Sequence, residues 1–246
     1  MSTEVTRLIQ SHRSIRKYTD APIPQEVLED VLASVQWAPS SHNVQAYSVI
    51  IVRSQEAKQQ LAMLAGGQKW VEECPVFLVF CADLYKLKHA CEMNGEQLAP
   101  EGVENLLVAA IDTALAAENA LIAARSHGLG GVMIGGIRNN PRGVADVLGL
   151  PSLTIPIMGM CLGYPDQDVE QKPRLPKRAV FHEERYQSEG IAEALEEYER
   201  ISADYYERRT RGKVTDGWTK QMADYVNKPR RTHMKQFVEE QGYKLT

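Results

Sequence analysis

The chain has 246 residues, 43% of them hydrophobic and 24% charged, a globular composition that excludes wholesale disorder. Its 28 lysines and arginines against 32 aspartates and glutamates give a formal charge of −4, the wrong balance for a dedicated nucleic-acid binder. The length allows one large domain or two small ones with a sizeable core.

The first residues, MSTEVTRLIQSHRSIRKY, lack the apolar stretch of a secretory signal. QEVLEDVLASVQW, residues 25–37, places Val27, Leu28, Val31, Leu32 and Val35 on one helical face, and Pro39 ends it in an APSSHN loop. Tyr47–Val52 and Val76–Cys81 read as strands covered on both faces, separated by a short helix over 57–65 and a GGQ turn. Residues 88–101 are polar and irregular, either a lid or an ordinary surface loop.

Residues 103–127 form the strongest predicted helix, apolar nearly all round and ended by Gly128. Such a helix is central to a core or packed at a subunit interface. Glu104, Asn105, Asp112, Glu118 and Asn119 interrupt it, and a membrane span needs about 20 predominantly apolar residues, so no membrane role is expected. A short strand over 131–134, an amphipathic helix over 140–148 and a strand over 154–163 follow. Residues 164–178 carry three prolines and many charges and read as an extended arm, followed by helical segments near 190–208, 216–226 and 233–241. Helices and strands mix without strict alternation, which is the pattern of an α+β fold. The expected division is a core over 1–186 with a C-terminal helical extension, 187–246, of the same domain.

Four cysteines without C-x-x-C spacing argue against a disulfide framework or structural zinc and favour free thiols in the cytoplasm. Cys81 and Cys161, in apolar strands, read as buried, and Trp37 and Trp70 as packing residues, with the alternative that Trp70, just after the Gln68 turn, lines the mouth of a site. The tail is asymmetric in charge, with a net of −6 over 187–207 and +7 over 208–235.

Several familiar motifs fail on inspection. His182-Glu183-Glu184-Arg185 is followed by Tyr186 where a zinc-protease helix needs histidine, and Met133 stands where a dinucleotide fingerprint needs its last glycine. Neither a G-x-S-x-G elbow nor a phosphate loop with G-K-[ST] occurs. What remains suits a bound organic cofactor as carrier of the chemistry. HRSIR offers cations and a hydroxyl, PSSHNVQ a polar loop, and GGQ a turn with an amide. GGIRNN lets a ligand approach the backbone, and KPRLP holds two cations on a stiff segment. Singly, each has an ordinary alternative, such as surface salt bridges for the arginines and plain turns for the glycines.

Taken together, HRSIRKYTDAPI, WAPSSHNVQAYSVI, GGQKW, GLGGVMIGGIRNN and LGYPDQDVEQKPRLP resemble the flavin (FMN)-dependent nitroreductase family, in its NADPH-preferring, oxygen-insensitive nitroreductase and flavin reductase branch. The resemblance implies a mainly antiparallel sheet wrapped by helices, in an intertwined homodimer with FMN at the interface. It implies a first flavin segment of His12, Arg13, Ser14 and Arg16, with Arg13, Lys172 and Arg174 on the phosphate and Arg16 and Gln68 near the N1/O2 edge of the ring. Ser40, Ser41 and Gln45 match a second segment supplied by the other subunit, and Ile134, Gly135 and Gly136 flank the ring. Many members carry proline after that glutamine, whereas this chain has Ala46.

The implied activity is NADPH-dependent, ping-pong hydride transfer through tightly bound FMN to nitroaromatics, quinones or flavins, with no obligatory catalytic side chain and no metal. Arg208, Arg209, Arg211 and Lys213 match the site for the NADPH 2′-phosphate; the ordinary alternative is a solvated helix end whose cations offset the acidic helix before it. Alternatives in function are a reductase that supplies free reduced FMN to a partner, and a flavin-binding module without turnover.

Overall fold

The computed structural model describes residues 2–99 and 102–245. It divides into two compact units, one running through Asp168 and completed by the stretch from Arg231, the other Val169–Arg230.

The first unit is built on four antiparallel strands, β1 (Tyr47–Val52), β2 (Val76–Asp83), β3 (Gly130–Ile134) and β4 (Thr154–Gly163), in the order β1-β2-β4-β3. Strand β2 is central and all eight of its residues are buried. Its alternation separates two cores, as a period of two requires. Val76, Leu78 and Phe80 face the helices α2 (Gln25–Gln36) and α6 (Val103–Ser126). Phe77, Val79 and Cys81 face α3 (Gln55–Leu64), α4 (Lys69–Glu73) and α7 (Pro141–Leu148). The antiparallel sheet wrapped by helices expected from the sequence is therefore present.

Helix α6 buries alanines 109, 116, 117, 120 and 124. Small side chains let its axis lie close to the sheet and to α2, where Asn119 Nδ2 donates to Ser34 O at 3.1 Å. Its length and hydropathy would permit a membrane crossing, but in this fold they serve the core, and Asp112 is wholly buried within it. Helix α7 carries its own punctuation: Asn140 caps Gly143 N at 3.0 Å, Pro141 opens the first turn, and Gly149 closes it at φ 62°.

Three sequence expectations need correction. Strand β1 packs on both faces, Tyr47 and Val49 against one core and Ile50 and Val52 against the other, but the cover is partial: it lies at the sheet edge and Ile51 is exposed. Residues 88–93, read as irregular, lie in α5 (Tyr85–Met93), whose start is fixed by Asp83 accepting from Tyr85 N at 2.9 Å; residues 100 and 101 of that stretch lie outside the described residues. Trp37 is 86% exposed and packs no core. Helices α1 (Glu4–Gln10) and α4 are short and escape periodicity altogether.

Cys74, Cys81 and Cys161 are buried and Cys91 is half-exposed. Burial pushes the Cys81 thiol up to about 12 and raises Cys161 as well. Only thiolate is nucleophilic, so titration of the native protein with a thiol reagent at pH 8 is expected to label one cysteine per chain, Cys91. Rapid labelling of two or more would contradict this core.

The second unit contains α8 (Ile191–Thr210) and α9 (Trp218–Val226). Tyr198 and Tyr205, seven residues apart and hence on one face of α8, donate to the carbonyls of Pro173 (2.9 Å) and Glu170 (3.3 Å). The extended segment 170–174 is thereby pinned along the helix. The last helix, α10 (Met234–Glu240), belongs to the first unit, where Phe237, Val238 and Tyr243 pack on Ala46, Ala82 and Ile155.

Candidate functional site

The first anion-binding segment runs along the free edge of β3. Ser14 bridges Gly131, Ile15 N donates to Gly131 O at 3.0 Å, and Tyr18 Oη donates to Ile15 O at 2.7 Å. Gly130 is required by this approach, because a Cβ there would lie 2.6 Å from Ile15 Cγ1. With Ile15 buried as the anchor, Ser14 and Arg16 are left half-exposed and Arg13 exposed. His12 is half-exposed at the start of the segment. Burial raises the Tyr18 phenol well above its ordinary range, so it stays a neutral donor.

Arg16 places its guanidinium 5.5 Å from the centre of the Trp70 ring. Trp70 Nε1 donates to Gln68 Oε1 at 3.1 Å, and Gln68 Nε2 donates to Ala65 O at 2.8 Å. Gln68 in turn lies so close to Gly136 that a methyl on that residue would overlap both it and Ala65 O. Ile134 is buried at the end of β3, and Gly135 and Gly136 open the 3-10 turn Gly135–Asn139. Thus Ser14, Arg16, Gln68, Ile134, Gly135 and Gly136, from three separated stretches, meet around one edge of the sheet. Arg138 donates to Ile157 O, and the returning tail adds Arg231 Nε to Asn139 Oδ1 (3.0 Å) and His233 Nε2 to Arg138 O (3.0 Å). These tail contacts carried no sequence signal, since nothing local marks a chain returning to a turn about ninety residues away.

Ser40, Ser41 and Gln45 are not brought to that edge. They precede β1, at the opposite side of the sheet, three strand spacings or about 14 Å away. Their loop contains the 3-10 turn Ser41–Asn43, and His42, Asn43 and Gln45 adopt positive φ of 47°, 57° and 52°. Two charges missed by sequence reasoning hold it. Asp112 accepts from Ser41 N and Ala46 N, both at 3.1 Å, and Lys86 Nζ donates to Tyr47 O at 2.7 Å. Burial and the nearby Asp112 carboxylate raise the Tyr47 phenol. The available signal was an acid in the middle of an alanine-rich face, since a buried carboxylate demands donors.

Within the second unit, Lys172 and Arg174 are exposed on the pinned segment, and Arg174 makes long contacts to the carbonyls of Lys172 and Pro173, both 3.4 Å. Beside them opens a cavity of about 570 Å³ lined by Phe181, Tyr198, Tyr205, Tyr206 and Trp218. Arg208 pairs with Glu170 at 3.0 Å, and Arg209 donates to Tyr205 Oη at 2.9 Å while lying over its ring. Arg211, in the left-handed conformation, and Lys213 follow the last turn of α8, both exposed. The cluster sits at a helix C-terminus, where cations also complement the helix dipole. Among the described residues no group of three or more metal-ligating side chains occurs.

The model of the nitroreductase family matches residues 9–164, and that of the family's C-terminal domain matches residues 172–246. An NAD(P)H FMN reductase from Bacillus subtilis is 39% identical over 245 residues, covering 98% of each chain. An oxygen-insensitive NADPH nitroreductase from Salmonella typhimurium is 37% identical with 96% of each covered. The solved structure of the hypothetical oxidoreductase YcnD from Bacillus subtilis superposes with a TM-score of 0.97, at 39% identity and 99% coverage of both chains. With the whole chain matched in sequence and in fold, this protein belongs to the nitroreductase family.

Proposed function

We propose that this chain is an NADPH-dependent FMN oxidoreductase that reduces nitroaromatics, quinones or flavins. The observation that carries the reading is the cluster beside β3, where Arg16, Trp70, Gln68 and Gly136 converge. A glycine backbone, an amide and a cation on an aromatic support fit the edge of a flat, electron-accepting ring. When bound, FMN supplies two-electron hydride chemistry that no side chain here could provide.

The side chains bind and tune. Arg16 favours the negative charge a flavin gains on reduction, and Gln68, fixed by Ala65 O and Trp70, presents its amide in one orientation. Arg13, Lys172 and Arg174 are the proposed phosphate ligands, and Arg208, Arg209, Arg211 and Lys213 the proposed contacts to the NADPH 2′-phosphate. His12 and Ser14 complete the first segment, and Ile134, Gly135 and Gly136 flank the ring.

The working form is proposed to be a homodimer. Ser40, Ser41 and Gln45 lie across the sheet from the other flavin residues, which supports a second copy as their source if all serve one flavin. An unpartnered stripe on α6, Val103, Leu107, Ile111 and Leu115, supports this, recurring every four residues with exposures of 49%, 49%, 55% and 37%. Reduced thiols and dependence on NADPH favour a cytoplasmic setting.

The reading is tested against the alternative of a reductase releasing free FMN. Flavin-loaded protein, desalted and diluted to nanomolar concentration with NADPH and a quinone, is expected to turn over at full rate without added FMN. A rate that vanishes on dilution and returns with micromolar FMN would support the release mechanism instead. A flavin that is held but never turns over would leave only a binding module.

A further inference from the structure

We propose that Asp112 is a positioning residue for the flavin-binding loop, its single buried carboxylate fixing both ends of the segment Ser41–Ala46. This rests on the reading above that the loop carries Ser41 and Gln45 to the flavin.

Asp112 is fully buried in α6, among alanines that need no charge for their packing. An ionised carboxylate there is costly unless its oxygens are satisfied. Oδ1 accepts from Ser41 N and Oδ2 from Ala46 N, so one rigid group spans the loop from first residue to last. Between them the chain takes left-handed conformations at three residues other than glycine, which L side chains resist and which persist only where the surroundings impose them. Lys86 supplies the opposite half of the restraint, with Nζ donating to Tyr47 O at 2.7 Å and to Gln45 O at 3.4 Å. An anion beneath thus takes the amides, and a cation at the surface takes the carbonyls.

Ala46 is part of the arrangement. A proline at this position would have no N–H to give. In this chain the amide exists, points at Oδ2 and is completely buried. Gln45, immediately before it, is left exposed with its side-chain amide donating to Asn43 O and Oδ1, both at 3.2 Å. The loop's functional side chains are thereby held outward by a backbone fixed from inside.

The experiment compares wild type with Asp112→Asn, which keeps the volume but turns one acceptor into a donor facing an N–H. FMN affinity is read by quenching of flavin fluorescence, the apoprotein's melting temperature by circular dichroism, and backbone protection by hydrogen exchange. Asp112→Asn is expected to weaken FMN binding at least tenfold, the scale of one lost hydrogen bond to a charged acceptor. Exchange should accelerate in peptides covering 40–47 and stay unchanged in β2 and in the rest of α6. A merely structural role would instead lower the melting temperature and loosen α6 and the sheet throughout.

Equal FMN affinity in the two proteins, or unchanged exchange over 40–47, would overturn the proposal while leaving the flavin reading intact. Wild-type protein that binds no FMN would overturn the flavin reading itself. If Asp112→Asn does not fold, Lys86→Met tests the same restraint from the solvent side. It is expected to loosen 40–47 and weaken FMN several-fold, while the wild-type amides of Ser41 and Ala46 exchange slowly. Fast exchange of those two amides in the wild type would again overturn it.

Discussion

Replacing Arg174 by alanine is expected to weaken FMN retention about ten- to a hundredfold while leaving the helix content unchanged. The asymmetry follows from what the side chain does in the chain itself. Arg174 is exposed, and its contacts to Lys172 O and Pro173 O at 3.4 Å add little to stability. The segment that carries it is held independently, by Tyr198 on Pro173 O and Tyr205 on Glu170 O. Among the described residues this guanidinium fork, on a fixed backbone, has no salt bridge, and a phosphate dianion is the partner its geometry suits. Gel filtration of the variant should give colourless protein at micromolar concentration, with flavin in the small-molecule fraction. Protein that leaves the column with its yellow band intact would remove Arg174 from the phosphate site. Arg174→Lys should recover part of the affinity, because the charge remains and the fork is lost.

The second large effect is expected in donor selectivity. Arg209→Ala should raise the KM for NADPH about ten- to a hundredfold and leave that for NADH nearly unchanged, since only NADPH carries the 2′-phosphate. In the chain, Arg209 is held over Tyr205 by a hydrogen bond from Nη1 to the phenol oxygen at 2.9 Å. That contact preorganises one face of the guanidinium and leaves its remaining donors for an anion. Arg208 differs, because Glu170 already pairs with it at 3.0 Å, and a phosphate must displace that carboxylate. Arg209 is accordingly expected to contribute more than Arg208 to the proposed phosphate site. The exposed setting makes the interaction sensitive to screening, so the NADPH preference should shrink as salt is raised. Equal losses with both donors would show that Arg209 supports the fold of this helix end rather than reading the phosphate.

Much of the fold was legible because local signals agreed with one another. YSVIIV, VFLVFC and TIPIMGMCLG are β-branched or apolar runs closed by turn residues, and two of the four strands match both expected ends while the other two differ by one or two residues at one end. Pro39, Gly128, Pro141 and Gly149 punctuate helices where backbone chemistry demands it. Helix α5 escaped because YKLKHACEM has too few apolar positions for a periodic pattern; Tyr85 and Leu87 dock on a core formed by residues far away in the chain. Strand β1 read as fully covered because its composition resembles β2, and only the strand order shows that it is an edge.

The candidate site was legible in residues but not in arrangement. Ser14, Arg16, Gln68 and Gly136 could be named from their motifs, yet the support of Arg16 by Trp70 and of Gln68 by Ala65 O exists only in three dimensions. Trp70, expected to pack or to line the mouth of the site, packs against the second core and also lies beneath the Arg16 guanidinium. Asp112 was read only as an interruption of an apolar stretch, although its burial makes it the anchor of the 40–46 loop. Charges inside an apolar helix face carry more information about tertiary partners than the apolar residues around them, because each must be answered by specific donors.

The most direct test is the visible spectrum of the purified protein under anaerobic conditions, recorded before and after one equivalent of NADPH per chain. The expected result is a flavin band near 450 nm that stays with the protein through gel filtration, bleaches within the mixing time of NADPH addition, and returns when a quinone is added. A protein that remains colourless after incubation with FMN, or a bound flavin that keeps its colour in the presence of NADPH, would contradict it.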